Sequence, residues 1–169
     1  MPILNRYFRE RKISYFTQDI PKEAKILEIG CADGWLGRYF RAAGYKNYIG
    51  MDVLAPADIV GDIKDWQELG LKRESFDVVI AFEVIEHVNC FKDIYDILKP
   101  QGILMLTSPL PHMDWFCLLL EKIGLLQKRD SPHSNLTNFK DILFFRPLEI
   151  RRIWFLAQWG KFIKPANNN

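Results

Sequence analysis

The sequence lacks an apolar run long enough to cross a bilayer. The longest in its C-terminal half is the stretch WFCLLL at 115–120, far short of the ~20 residues a spanning helix needs. Cysteine is scarce. Cys31, Cys90 and Cys117 are the three present, an odd number without metal-ligand spacing, which excludes a disulfide framework and a zinc site. An excess of one charge is also missing: 23 basic against 21 acidic residues leave a net +2, too little to argue for a nucleic-acid surface. The balance is uneven, because residues 121–169 hold 9 basic and 4 acidic groups, net +5; this reads as a solvated helix face. The first ten residues are charged from Arg6 onward and have no signal-peptide core. Internal repeats are absent, and low complexity is confined to Asn167–Asn169. These absences together lead us to expect a cytoplasmic protein in a reducing compartment, with no DNA partner and no transmembrane segment.

What is present is a folded chain with one core: 49% of its 169 residues are apolar and 14% aromatic, well outside the disordered range. Short apolar runs alternate with helical stripes. The runs AKILEIG, NYIGMDV, DIVGD, FDVVIAF and GILMLTSP read as five strands, and FDVVIAF is β-branched enough to be buried on both faces. Between them, Leu36, Tyr39, Phe40 and Ala43, then Phe91, Ile94, Tyr95 and Leu98, recur at helical spacing. This alternation predicts right-handed crossovers and a Rossmann-like three-layer α/β/α sandwich with a mainly parallel sheet. A single domain follows: a lead-in helix in 1–20, a core over 21–109, a lid over 110–146, and a C-terminal helix and tail over 147–169. The lead-in helix falls roughly at Asn5 to Phe16, and a further helix is predicted at 114–126. The last helix opens at Pro147 and puts Ile150, Ile153, Trp154 and Ala157 on one face. After Trp159 there is room for one short strand near Lys161 to Lys164, so the C-terminal strand pair is expected to be shortened. The open edge would then expose Phe155, Trp159 and Phe162 to a second copy or a partner chain.

The segment ILEIGCADGW, Ile26 to Trp35, ends an apolar run in a glycine turn, where sheets of this kind bind ligands. Gly30 and Gly34 flank Ala32, so the G-x-G-x-x-G of a dinucleotide fold is missing. Trp35 and Leu36 stand where a P-loop needs Lys and Ser or Thr. The remaining pattern, E-x-G-x-x-x-G, resembles the first motif of class I S-adenosylmethionine-dependent methyltransferases, the small-substrate and ubiquinone-pathway-like members in particular. Asp52, the GDI of 61–63, FDVVIAFEVIEHV and LKPQGILMLTSP follow in that family's order, and the resemblance covers about residues 20–110 closely. It continues more loosely through SPHSNL and the Pro147 segment. By resemblance, Glu28, Gly30, Cys31 and Gly34 belong to the cofactor-binding turn, Glu28 holding the loop amides or facing the methionine end and Cys31 most simply filling the turn; Asp52 takes the ribose hydroxyls, with Val53 after it, Asp62 and Ile63 contact the adenine, and Phe82 ends the fourth strand at the cofactor. The carry-over has a chemical basis, since the ribose hydroxyls and the two amines are donors that carboxylates accept in charge-assisted hydrogen bonds. An Asp in such a place also serves commonly as a turn or N-cap residue. One departure is Ala32, which stands where the family has its second glycine.

The resemblance implies transfer of a methyl group to a small-molecule or lipid-precursor acceptor. No nucleophile is required, only alignment and a base. The three histidines are His87, His112 and His133; His87 and His133 are the catalytic candidates, His87 being nearest the expected methyl. Glu83, Glu86 and His87 are spaced i, i+3 and i+4, which on a helix sets Glu83 beside the other two. With His133 they could hold a divalent ion, as similar E-x-x-E-H stretches do in small-RNA 2′-O-methyltransferases and ubiquinone-pathway O-methyltransferases. No metal is assigned, because hard-ion sites recruit more oxygen ligands. The aromatics Trp115, Phe116, Phe139, Phe144 and Phe145 point to an apolar acceptor or to ordinary core. Two other functions fit the pattern less well: a cofactor-binding scaffold subunit completed by a partner at the C-terminal sheet edge, and an RNA ribose methyltransferase, against which the absence of an RNA-binding module counts.

Overall fold

A computed structural model describes residues 3–125 and 135–166. Chain order is α1 (Ile3–Phe16), β1 (Ile26–Ile29), α2 (Trp35–Ala42), β2 (Tyr48–Asp52), β3 (Ile59–Val60), β4 (Phe76–Phe82), α3 (Phe91–Ile97), β5 (Leu98–Pro109), α4 (Asp114–Lys122), β6 (Arg146–Ile153) and β7 (Ala157–Ile163). The strands form one seven-stranded sheet in the order β3-β2-β1-β4-β5-β7-β6. The first five strands are parallel, and β7 runs antiparallel to both β5 and β6.

The apolar runs explain the layers. In β4, Val78, Ile80 and Phe82 pack with Phe16 of α1 and Leu36 and Phe40 of α2. Val79 and Ala81 point the other way, into a cluster with Ile94 and Ile97 of α3 and Leu104 and Leu106 of β5. A period of two along one strand thus fills two cores, which only a sheet covered on both faces permits. The crossover direction reverses between β1 and β4, and that opens a crevice at their C-terminal ends.

The C-terminal part differs from the sequence expectation. Pro147 opens no helix; it lies in the edge strand β6, which pairs with β7. Proline is tolerated there because an edge strand needs no ladder hydrogen bond on its outer side, and the register shifts between Pro147 and Glu149. The helical spacing of Ile150, Ile153, Trp154 and Ala157 is broken at Trp154, in the turn between the two strands. The strand pair is consequently whole, and β7 buries Trp159 and Phe162 against opposite faces of the sheet. Of the three aromatics expected at an open edge, Phe155 alone is exposed. The chain is held at its end by Lys164, which is fully buried. Its ammonium donates to Glu74 at 3.0 Å and to the carbonyls of Tyr95 and Leu98, both at 2.8 Å.

Candidate functional site

The turn after β1 takes its shape from three left-handed residues in alternation, Gly30 (φ 74°), Ala32 (φ 46°) and Gly34 (φ 68°). Gly30 is obligatory twice over: a Cβ there would come within 2.4 Å of Val84 Cγ2, and its backbone is unfavourable for an L side chain. Ala32 accepts the same strain, about 1 kcal/mol. Its N–H donates to Asp52 Oδ2 at 2.8 Å, and Leu54 N–H donates to Oδ1 at 3.1 Å. Asp52 therefore ties the end of β2 to the glycine turn. Each of its oxygens keeps a second lone pair.

These elements enclose a cavity of about 570 Å³ at the C-terminal ends of β1, β2 and β4, within the size range of cofactor and small-molecule sites. Glu28, Gly30, Asp52, Val53, Asp62, Ile63, Phe82 and His87 all line it. Cys31 and Gly34 do not. Cys31 is buried against Gly50, and burial, then the charges of Glu28 and Asp52, pushes its thiol up to about 11. It is a packing residue. Gly34 caps α2 through its left-handed backbone. Asp62 lines the cavity, and its Oδ1 accepts from Lys64 N–H at 3.0 Å as the cap of a short 3₁₀ turn. His133 lies outside the described residues. His112 sits exposed in the Pro111–Met113 turn and does not reach the cavity.

Glu28 is 2% exposed and receives the Tyr48 hydroxyl. Burial raises its carboxyl to about 7, and the nearby Asp33 and Asp52 charges add to the rise. After β4 the residues Glu83 to His87 form turns, with Glu83 left-handed at φ 57°, so the helical spacing read from the sequence does not apply. Glu83 accepts from Lys12 Nζ at 2.8 Å and from Thr107 Oγ1 at 2.7 Å. Burial alone would raise it, but Lys12 and these hydrogen bonds hold it below the usual carboxylate range. Glu86 behaves oppositely. It is wholly buried, neither carboxyl oxygen has a hydrogen-bond partner among the described residues, and it lines the cavity. Burial, then the Glu83 charge, pushes it well above the usual range. The two neighbouring carboxyls are thus shifted in opposite directions. Among the described residues no group of three His, Cys, Asp or Glu side chains gathers as a metal site would require.

Several wall residues escaped the sequence reading. Phe8, Arg9 and Lys12 of α1 close one side of the cavity, with Arg9 bonded to Asp33 at 3.0 and 3.1 Å. Cys117 and Glu121 of α4 and Leu156, Ala157 and Trp159 of the hairpin close another. The signal in α1 was present, since Phe8 and Lys12 are four apart and share a helix face. None of the lid aromatics singled out from the sequence lines the cavity: Phe139 and Phe145 are core, while Trp115 and Phe144 face solvent.

The family model described as "Methyltransferase domain" matches residues 4–158. A ubiquinone biosynthesis O-methyltransferase of Pelagibacter ubique is 28% identical in an alignment that covers 63% of this chain and 52% of that protein. The chain spans about half the length of the curated relatives it matches. Among solved structures, the PH0226 protein of Pyrococcus horikoshii has a TM-score of 0.64 at 16% identity, covering 96% of this chain and 94% of that one. The N-methyltransferase NodS of Bradyrhizobium japonicum has 0.61 at 17%, covering 95% and 98%. At such identities the structural likeness shows the fold, and the family match shows the lineage: the chain belongs to the methyltransferase domain family.

Proposed function

We propose that the chain transfers the methyl group of S-adenosylmethionine to a hydroxyl or amine of a small-molecule or lipid-precursor acceptor. The observation carrying this reading is one cavity lined both by Asp52 and Asp62 and by Glu83, Glu86 and His87. The residues suit the cofactor. Asp52 keeps lone pairs for two ribose hydroxyls, Asp62 for the adenine amine, and Glu28 for the ammonium, and all three are acceptors facing a ligand of donors. When bound, the cofactor supplies an activated methyl on a sulfonium.

The chain supplies alignment, exclusion of water and a proton acceptor. Gly30 lets the ligand approach the turn amides. Val84, Phe82 and Trp159 line apolar wall. His87 takes the proton of the acceptor group. Glu86 lines the same cavity, where its carboxyl can hydrogen-bond that group or its neighbour. Transfer assays with purified protein, labelled cofactor and a panel of phenols, amines and prenylated phenols test the reading. His87→Ala should lower kcat at least about a hundredfold, the usual contribution of a general base, with cofactor binding intact. Methylation of no acceptor by a protein that binds cofactor would sink it.

A further inference from the structure

Tyr48 is not among the cavity walls, yet its side chain reaches one of them. From β2 it donates its hydroxyl to Oε2 of Glu28 on the neighbouring strand β1. Room for the phenol is made by two glycines on different elements. A Cβ on Gly37 of α2 would fall 2.7 Å from the ring and 2.9 Å from the hydroxyl, and one on Gly50 of β2 would fall 3.0 Å from the hydroxyl. Neither glycine has a left-handed backbone, so neither is there for its φ. Phe40 stacks on the ring at 5.4 Å, and the Arg41 guanidinium lies 5.0 Å from its centre. Arg41 is held in turn by both oxygens of Asp58, at 2.8 and 2.6 Å, and Asp58 accepts the Gly50 N–H at 2.7 Å.

A phenylalanine would fill this slot equally well. What the hydroxyl adds is one directed hydrogen bond to a buried carboxyl. Burial, then the Glu28 charge, pushes the phenol further above its ordinary range, so it keeps its proton and is the donor of the pair. The bond occupies Oε2 and leaves Oε1 to a ligand in the cavity that Glu28 lines. The other charged and titratable groups around Glu28 come from three places: Lys12 of α1, Cys31 and Asp33 of the turn after β1, and Asp52 of β2. Burial and the two aspartates oppose a charge on Glu28. The Tyr48 bond and Lys12 favour it, and of these two the Tyr48 bond has the larger effect.

We propose that Tyr48 is a positioning residue of the cofactor site: its hydroxyl, fixed from behind by Gly37, Gly50 and Arg41, holds Glu28 in the orientation that takes the ammonium of S-adenosylmethionine. This rests on the methyl-transfer reading, in which Glu28 receives that group. Tyr48 touches no ligand itself and acts through Glu28. A carboxylate binds an ammonium in a charge-assisted hydrogen bond, which a neutral carboxyl cannot match. A buried carboxyl deprived of a donor turns neutral more readily. The Tyr48 hydroxyl thereby sets how far the pH can fall before the cofactor is released. Affinity drops as Glu28 takes up its proton, and without the hydroxyl that drop begins at higher pH.

The test is calorimetric titration of the whole protein with S-adenosylhomocysteine, which carries the same ammonium, at a series of pH values on both sides of about 7, where Glu28 titrates. Tyr48→Phe should bind about tenfold more weakly than wild type near neutrality, the scale of one hydrogen bond to a charged group, and should recover toward wild type as pH rises. Glu28→Gln should bind weakly with a flat profile. Adding Tyr48→Phe to it should cost nothing further, because the hydroxyl acts through the carboxylate. A cooperative thermal transition in each unliganded variant shows that it is folded. A Tyr48→Phe deficit that is absent or equal at every pH would overturn the proposal and leave Tyr48 a packing residue. So would a Glu28→Gln profile like that of wild type, or a second loss in the double variant. Wild type that binds no S-adenosylhomocysteine at any pH would overturn the methyl-transfer reading itself and this inference with it, so the two failures are told apart.

Discussion

At the scale of single residues, the cavity is a collection of carboxyl groups in unequal surroundings. Glu83 has a lysine and a threonine; Glu86 has neither, and Glu28 has a tyrosine hydroxyl and two like charges nearby. The chemistry of Glu28 gives a pH prediction. Its folded-state value is raised, from about 4.5 to about 7, so the folded state binds the proton more tightly than the unfolded chain does. Its contribution to stability is full below the unfolded value and is lost as pH rises through the folded one. Wild type should therefore lose stability relative to Glu28→Gln between pH 4.5 and about 7, by on the order of 3 kcal/mol. Urea midpoints of both proteins across that range check this, and a difference independent of pH would show that Glu28 titrates normally. Asp52 and Asp62 were legible in the sequence because a strand end and a glycine turn are local features. The opposite shifts of Glu83 and Glu86 were not, since they depend on burial and, for Glu83, on Lys12, 71 residues away.

At the scale of elements, the parallel half of the sheet was readable and the antiparallel half was not. FDVVIAF can only be a strand buried on both faces, and the stripes of α2 and α3 are unambiguous. Arg146–Ile153 has exposed and half-buried positions and only one buried residue, so no period dominates. Its state follows from pairing with β7. The hairpin is fastened at its far end by Lys164, whose three hydrogen bonds join the residue after β7 to the α3–β5 corner and to Glu74. Lys164→Met should fill the same volume but leave two buried carbonyls unmet, at a cost of roughly 3 kcal/mol. For a chain of this length that is a fall in Tm of roughly 6–12 °C. A loss within experimental error would mean that water reaches those carbonyls.

At the scale of the whole molecule, the turn after β1, the end of β2, the turn after β4, α1 and the C-terminal hairpin must all be in place for the cavity to exist. A ligand of the native cavity then stabilises the entire fold by mass action. S-adenosylhomocysteine at a hundredfold excess over its Kd should add about 2.7 kcal/mol, and NAD should add nothing. Asp52→Ala removes the two carboxylate acceptors proposed for the ribose and the partner of the Ala32 amide, and should abolish most of the shift. Differential scanning fluorimetry decides it: an equal shift in the variant would remove Asp52 from the site, and a larger shift with NAD would overturn the cofactor.

What the sequence determined by itself was whatever depends on neighbours along the chain: the helical and strand periods up to Pro109, the left-handed turn at Gly30, the failure of the phosphate-binding patterns, and the order of motifs that resembles the methyltransferases. What only the tertiary structure decided depends on residues far apart in sequence. The β6–β7 pair forms because antiparallel pairing with β5 buries Trp159 and Phe162, a gain that no local propensity registers. The cavity has α1 as a wall because Lys12 reaches Glu83. And α4 presents Cys117 and Glu121 to the cavity and leaves Trp115, Leu118, Leu119 and Ile123 exposed, an orientation that helical spacing alone does not fix.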